Sequence, residues 1–146
     1  MDTNLLILYL IGKYQPTYVP KFKRTTMYSE QVFHWLNGYV SQFSKIVVTP
    51  QVLAEAWNFL EKIPEHRFKV FLDSILPTLY LVNEEYIHKD EVISTYGFNH
   101  IGITDTSIIL AAKSLKYLIL TDDLRAYNNF AYHEVMAINI NHLRQL

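Results

Sequence analysis

The sequence predicts an α/β protein in which a mostly parallel sheet is covered by helices on both faces. Short apolar runs rich in β-branched residues occur at 46–48, 117–120 and 135–140, and such runs are typical of buried strands. Between them, apolar residues recur every three or four positions, which is typical of helices. Strands joined through helices form right-handed crossovers, and the resulting parallel sheet binds ligands beyond the carboxyl ends of its strands.

Residues that begin and end helices place the elements along the chain. Ser29 is a suitable N-cap, and Thr49 followed by Pro50 has the residue types that begin a helix. Pro64 ends that helix, and Gly97 fits a C-terminal cap. The predicted order is a loop or lid at 13–28, a helix at 29–43, a strand at 46–48, a helix from 50 to before 64 and a mostly helical region at 66–96 that is broken or kinked near Pro77. There follow a helix beginning at Thr104 or Asp105, a strand at 117–120, a helix from 124 to about 130 and a strand at 135–140.

The composition indicates one domain spanning residues 1–146. Half of the residues are hydrophobic and 18% are charged, so the chain can bury a core and is not expected to be disordered. The chain has no cysteine, which excludes disulfides and thiolate metal sites. Its longest apolar run, residues 5–11, is too short to span a bilayer and lacks the features of a signal peptide. We therefore expect a cytoplasmic protein without a membrane partner.

Four acidic residues lie where a parallel sheet would place them at its carboxyl edge. Glu55 and Asp123 follow predicted strands, Asp105 begins a predicted helix and Asp2 stands near the start of the chain. Hard cations such as Mg²⁺ and Mn²⁺ prefer oxygen ligands, and clustered carboxylates repel one another unless a cation neutralises them. The pattern therefore predicts an all-carboxylate pocket for a divalent ion, which could activate water against a phosphodiester.

These acids belong to four short motifs that span nearly the whole chain. The motifs are Asp2-Thr3-Asn4-Leu5-Leu6, Thr49-Pro50-Gln51-Val52-Leu53-Ala54-Glu55, Ile103-Thr104-Asp105-Thr106-Ser107-Ile108-Ile109-Leu110-Ala111 and Leu120-Thr121-Asp122-Asp123-Leu124. In this order they resemble the PIN-domain family of nucleases, and segment 138–144 resembles the end of a bacterial and archaeal subset of that family. The resemblance implies a three-layer α/β/α sandwich with a central, mostly parallel sheet. It also implies a hydrolase, specifically an endoribonuclease, that cleaves single-stranded RNA with Mg²⁺ or Mn²⁺.

The resemblance assigns roles to individual residues. Asp2 and Asp105 match the direct metal ligands, while Glu55 and Asp123 would bind a second ion or position the attacking water. The supporting polar positions are Asn4 and Thr121, with Asp122 as the reserve for Asp123. One departure is that only Met1 precedes Asp2, whereas the family has a full central strand there. We expect either an upstream start or a shortened first strand.

Several alternatives stay open. The first is a non-catalytic RNA- or protein-binding module, and the second is the toxin of a toxin–antitoxin pair with a small antitoxin-like partner. A phosphatase-like hydrolase using Asp2 as nucleophile is a more distant alternative, because such enzymes usually have a second acid where this chain has Asn4. A homodimer is implied by the resemblance alone. The basic residues of the 13–28 segment could pair with RNA phosphates; they are Lys21, Lys23 and Arg24.

Overall fold

Helices make up most of the chain. The structure is a computed structural model that describes residues 1–143, and 65% of it is helical. The helices are α1 (Thr3–Tyr14), α2 (Glu30–Val40), α3 (Pro50–Leu60), α4 (Glu65–Leu81), α5 (Lys89–Ser94), α6 (Phe98–Ile101), α7 (Ile103–Leu115), α8 (Leu124–Tyr132) and α9 (Ile140–Leu143). A 3-10 helix at Pro16–Lys21 follows α1. Arg144, the last residue of the predicted C-terminal motif, lies outside the described residues.

The strands form two separate pairs. Strands β1 (Val47–Val48) and β2 (Asn83–Glu84) make one parallel pair, and β3 (Ile119–Thr121) and β4 (Ala137–Asn139) make the other. In the second pair Leu120 lies opposite Ile138, and the strands are parallel because α8 connects them. This β3–α8–β4 unit is the crossover that the sequence predicts.

The prediction of a three-layer α/β/α sandwich with a central sheet is wrong. Within residues 1–143 each sheet has two strands of two or three residues, so each ladder holds only a few hydrogen bonds and forms no layer. Of the run at 46–48, Val47–Val48 forms the strand, and α3 begins two residues later at Pro50. Its partner β2 is polar and exposed, and therefore carries no pattern typical of a strand.

The described chain divides into two compact units. The single domain that the sequence predicts stays a prediction, because one domain can contain two such units. The helical unit comprises Thr3–Val47 and Ala54–Asn83, and the mixed unit comprises Met1–Asp2, Val48–Leu53 and the chain from Glu84 onwards. Strands β1 and β2 and helix α3 each contain residues of both units.

Helix α1 is the centre of the helical unit. It packs against the 3-10 helix, α2 and α4, and its residues from Leu5 to Gly12 are all buried. A helix that is apolar all round is expected in a core rather than at a surface. Gly12 allows α2 to approach closely, because a Cβ atom there would lie 2.0 Å from the ring of Phe33. The longest apolar run of the sequence is therefore the core helix of this unit.

The mixed unit has two packed groups. The β3–β4 pair packs against α8 and α9, and helices α5, α6 and α7 pack against one another. Ile87, Val92 and Ala111 form a buried cluster in the second group, flanked by Phe98 and Leu110. The N-terminal residues of the chain belong here too, since the Asp2 N–H donates to the Leu120 carbonyl at 3.0 Å. The start of the chain therefore lies beside β3.

Several predicted helix ends are confirmed. The Ser29 hydroxyl accepts from the Val32 N–H at 3.4 Å, so Ser29 caps α2. The Thr49 hydroxyl accepts from the Val52 N–H at 3.5 Å at the start of α3. These ends follow from side chains that bond the backbone two or three residues away, which is a local effect.

Other predicted boundaries are wrong. Segment 13–28 is not a loop or lid, because it contains the end of α1 and the 3-10 helix, and it buries Val19, Phe22 and Tyr28. Pro77 lies inside α4, so the helix is not broken there, and the alternative of a kink stays a prediction. Gly97 has φ +83° and precedes α6 instead of capping the helix before it.

Candidate functional site

Asp2 lies at the carboxyl end of strand β3. Its backbone N–H donates to the carbonyl of Leu120. The next residue, Thr121, ends the strand and is fully buried. The Asp2 side chain is only 6% exposed, and buried carboxylates occur in proteins chiefly where they are paired or bind metals. Burial lowers the pKa of the Met1 amino group, while the Asp2 carboxylate acts in the opposite direction. Asp2 is therefore a buried acidic residue at the edge where ligands bind parallel strands.

Asp123 follows the same strand and begins helix α8. Its Oδ1 accepts from the backbone N–H groups of Arg125 at 2.7 Å and Ala126 at 3.0 Å, so it is the N-cap of this helix. Its own N–H donates to the Thr121 hydroxyl at 3.0 Å. Thr121 therefore supports the turn that leads into Asp123. Asp123 is exposed, and both capping hydrogen bonds end on Oδ1, so Oδ2 takes no part in the cap.

Asp122, the reserve for Asp123, is half-buried. Its backbone carbonyl accepts from the side-chain amide of Asn141 at 2.9 Å, which ties this turn to α9. Because Asp123 has the capping role and Asp122 is the less exposed of the two, the structure does not decide which carboxylate serves chemistry.

Asp105 lies in the first turn of α7 and is half-buried. The sequence predicts a helix that begins at Thr104 or Asp105, but α7 begins at Ile103 after Gly102, which has φ +90°. Asp105 is therefore within the helix rather than its cap. The positive end of the helix dipole still favours its negative charge.

A buried hydroxyl pair fixes the start of α7. The Thr49 and Ser107 hydroxyls lie 2.8 Å apart, and Ser107 also donates to the Thr104 carbonyl at 2.7 Å. Both side chains are buried, so this bond holds the Asp105 turn against the residues that precede α3. The sequence predicts Thr49 as a helix cap but not its contact with Ser107, because the two are 58 residues apart.

Glu55 belongs to the helical unit. It is half-buried on α3, and its Oε2 accepts from the Thr3 hydroxyl at 3.0 Å. The neighbouring Asn4, a predicted supporting residue, accepts through Oδ1 from Arg24 Nη2 at 3.0 Å. The sequence does not predict the contact of Thr3 with Glu55, although Thr3 lies next to Asp2 in the first motif.

The basic residues predicted to bind RNA differ in their surroundings. Lys21 and Lys23 are exposed, whereas Arg24 lies 4.4 Å above the centre of the Phe59 ring. Lys62 lies 5.3 Å from the centre of the same ring. The sequence does not predict this contact of Lys62, which lies in the turn that follows α3.

The structure does not gather the four acids into one group. Asp2, Asp105 and Asp123 belong to the mixed unit and Glu55 to the helical unit. Among residues 1–143, no group of three or more histidine, aspartate or glutamate side chains is placed to hold a metal ion. The predicted four-carboxylate pocket therefore stays a prediction.

The donor chemistry of these residues fits a hydrated hard cation better than a closed protein cage. All the candidate side chains offer oxygen, and Mg²⁺ usually binds one or two carboxylates and keeps several waters. Within the described part of the mixed unit, Thr106 Oγ1 and Gln51 Oε1 are buried without a hydrogen-bond partner. Buried polar oxygens are expected to meet water or an ion. The donor types present, carboxylates and neutral oxygens, are therefore those that a hard cation prefers.

Comparison with known protein families, with curated proteins and with solved structures gave no match. The resemblance to PIN-domain nucleases therefore rests on the four sequence motifs. No helix within residues 1–143 is both long and apolar enough to cross a membrane.

Proposed function

We propose that this chain is a metal-dependent endoribonuclease that hydrolyses phosphodiester bonds in single-stranded RNA. The observation that carries the proposal is the buried carboxylate of Asp2 at the carboxyl end of β3, with Asp123 two residues beyond the same strand. The four motifs that resemble PIN-domain nucleases support it further. A cytoplasmic location belongs to the same proposal.

Asp2 and Asp105 would hold a Mg²⁺ or Mn²⁺ ion, and Glu55 and Asp123 would hold a second ion or orient water. When bound, the ion supplies an activated water and stabilises charge that develops on the phosphate. The dipole of α7 favours the ionised form of Asp105, and the Thr121 hydroxyl fixes the Asp123 backbone. The Thr3 hydroxyl holds the Glu55 carboxylate in one orientation.

Substitution of Asp105 tests this function directly. Loss of a residue that only supports a metal ligand costs about 10–100-fold in activity, so Asp105→Asn should lose at least about 100-fold in Mn²⁺-dependent RNA cleavage. Asp73→Asn is the matched control, because Asp73 is an exposed aspartate in the middle of α4. Cleavage of a labelled single-stranded RNA by purified protein is the measurement. Full activity of Asp105→Asn at unchanged Mn²⁺ dependence would refute the proposal.

A second function is a non-catalytic RNA- or protein-binding module. It is favoured by the capping bonds of Asp123, which give that carboxylate a structural role without any metal. Titration with Mn²⁺, followed through its paramagnetic effect on NMR signals, separates the two functions. Broadening of the Asp2 and Asp105 signals together with cleavage supports the nuclease. RNA binding without broadening or cleavage supports the module.

A further inference from the structure

One aromatic ring in the helical unit holds two cations. Arg24 Cζ lies 4.4 Å and Lys62 Nζ lies 5.3 Å from the centre of the half-buried Phe59 ring, and both basic side chains are exposed. A ring face attracts a nearby cation electrostatically, which restricts two side chains that would otherwise move freely. Phe59 therefore fixes two positive charges at defined places on the surface.

These two charges make no direct ion pair. Neither Arg24 nor Lys62 takes part in an ion pair with an acidic side chain of the described residues. Because both distances end on the same ring, the charges are within about 10 Å of each other, which is about one Debye length at 0.1 M salt. Two like charges at this separation favour binding of an anion, or of adjacent anions in a chain.

The fixed cations lie beside Glu55. Glu55 and Phe59 are one turn apart on α3 and therefore share a face of that helix. Thr3 donates to Glu55 while the adjacent Asn4 accepts from Arg24, so the start of α1 holds both side chains. A guanidinium has five N–H donors, and Arg24 uses one nitrogen for Asn4 while others stay available to phosphate oxygens.

We propose that Arg24 and Lys62, held on Phe59, bind consecutive backbone phosphates of single-stranded RNA and position the strand beside Glu55. The identity of the polymer rests on the proposed nuclease function. The ring itself is occupied by the cations, so this surface recognises phosphates and not bases. Arg24 and Lys62 are positioning residues rather than catalytic residues.

The test measures RNA binding without turnover. The full chain in EDTA binds a fluorescein-labelled single-stranded oligouridylate, and anisotropy gives the affinity over a range of salt concentrations. Each phosphate contact on single-stranded RNA contributes about 0.7 to the slope of log affinity against log salt. Arg24→Gln and Lys62→Gln should therefore each lower the slope by about 0.7 and the affinity by about three- to fivefold near 0.15 M salt.

Lys21→Gln and Lys23→Gln are the matched controls, since both lysines are exposed and lie close to Arg24 along the chain. They should change the slope by clearly less than the two proposed contacts. Equal effects of all four substitutions would mean that bulk charge binds RNA, and this would overturn the proposal. Displacement of the RNA by polyglutamate as effectively as by unlabelled oligouridylate would also overturn it, because the surface would then recognise acidic proteins.

The cleavage assay separates this proposal from the nuclease proposal. If the wild-type protein cleaves RNA, Arg24→Gln and Lys62→Gln should raise KM and leave kcat nearly unchanged. Cleavage with unaltered KM in both variants would refute the positioning role and leave the nuclease proposal intact. Specific loss of binding in EDTA from a protein that never cleaves RNA would support the phosphate contacts and refute the nuclease.

Discussion

Asp123 allows a structural role to be separated from a chemical one. Its Oδ1 accepts from two backbone N–H groups of α8, at 2.7 Å and 3.0 Å. Loss of an N-cap costs about 0.5–2 kcal/mol, and a negative charge at a helix N-terminus contributes about 0.3–1 kcal/mol. We therefore expect Asp123→Ala to lower the free energy of unfolding by about 1–2 kcal/mol, since both contributions are lost and the exposed site leaves no cavity.

Asp123→Asn should behave differently, because asparagine keeps an acceptor oxygen and is as good an N-cap as aspartate. Only the interaction of the charge with the helix dipole is lost, so the cost should not exceed about 1 kcal/mol. Urea unfolding monitored by circular dichroism measures both variants. Asp73→Ala is the control for removal of an exposed aspartate and should stay within about 0.5 kcal/mol of the wild type.

The same two variants test chemistry. If Asp123 serves the metal site, Asp123→Asn should remain folded and lose RNA cleavage, whereas a pure cap would leave cleavage intact. Wild-type stability in Asp123→Ala would show that the carboxylate does not cap α8. Full cleavage by Asp123→Asn would remove Asp123 from the proposed catalytic set and leave Asp122 as the alternative.

Two further predictions concern stability. A methyl group at Gly12 would meet the buried Phe33 ring at 2.0 Å, so Gly12→Ala should cost about 1–3 kcal/mol in urea unfolding. Gly38→Ala, where an added Cβ meets nothing within 4 Å, should be neutral or stabilising, and equal losses in both variants would contradict the close helix approach. Burial, with a smaller effect from Lys113, lowers the pKa of His133 below its usual value of 6.5. The unfolded chain therefore binds this proton at higher pH, so stability should fall as pH drops below about 6.5, and His133→Gln should lessen that fall. An identical pH dependence of both proteins in urea unfolding would contradict this.

Helix ends could be predicted from the sequence because they depend on neighbouring residues. Ser29 and Thr49 cap helices through their own hydroxyls, as their residue types indicate. The predicted start of α7 is one or two residues too late. Gly102, with φ +90°, precedes the helix, whereas Thr104 and Asp105 in its first turn are also residue types that cap helices. Local chemistry therefore predicts several of the helices and leaves their first turn uncertain by about two residues. It does not predict α1, because a strand was expected at the start of the chain where Thr3–Tyr14 forms a helix.

The sheet could not be predicted because strand length depends on pairing between distant residues. The run at 46–48 is a suitable strand in isolation, yet its partner is Asn83–Glu84, which is exposed and polar. No pattern in that partner indicates a strand, and no pattern indicates that the pairing stops after two residues. The central layer was inferred from helix–strand alternation, and alternation alone does not fix how many strands join one sheet.

The site follows the same division between local and distant information. Local motifs predict the acids and the capping bonds of Asp123, whereas the contacts of Glu55 and of the turn that holds Asp105 join residues far apart in sequence. Thr3 and Glu55 are 52 residues apart, and the Thr49–Ser107 contact spans 58. The sequence predicts Arg24 as one of a group with two neighbouring lysines, and the contacts with Phe59 and Asn4 distinguish it from them.

The residues proposed to bind RNA and those proposed to bind metal carry opposite charges. The net charge is −1, which disfavours RNA binding by bulk charge, so the proposed affinity for RNA depends on cations such as Arg24 and Lys62. Each proposed metal ligand, by contrast, repels phosphate until a cation neutralises it. Asp105→Asn should therefore bind RNA in EDTA at least as tightly as the wild type while it loses cleavage. Weaker binding by Asp105→Asn in EDTA would mean that Asp105 supports RNA binding through structure, and its role as a metal ligand would have to be abandoned.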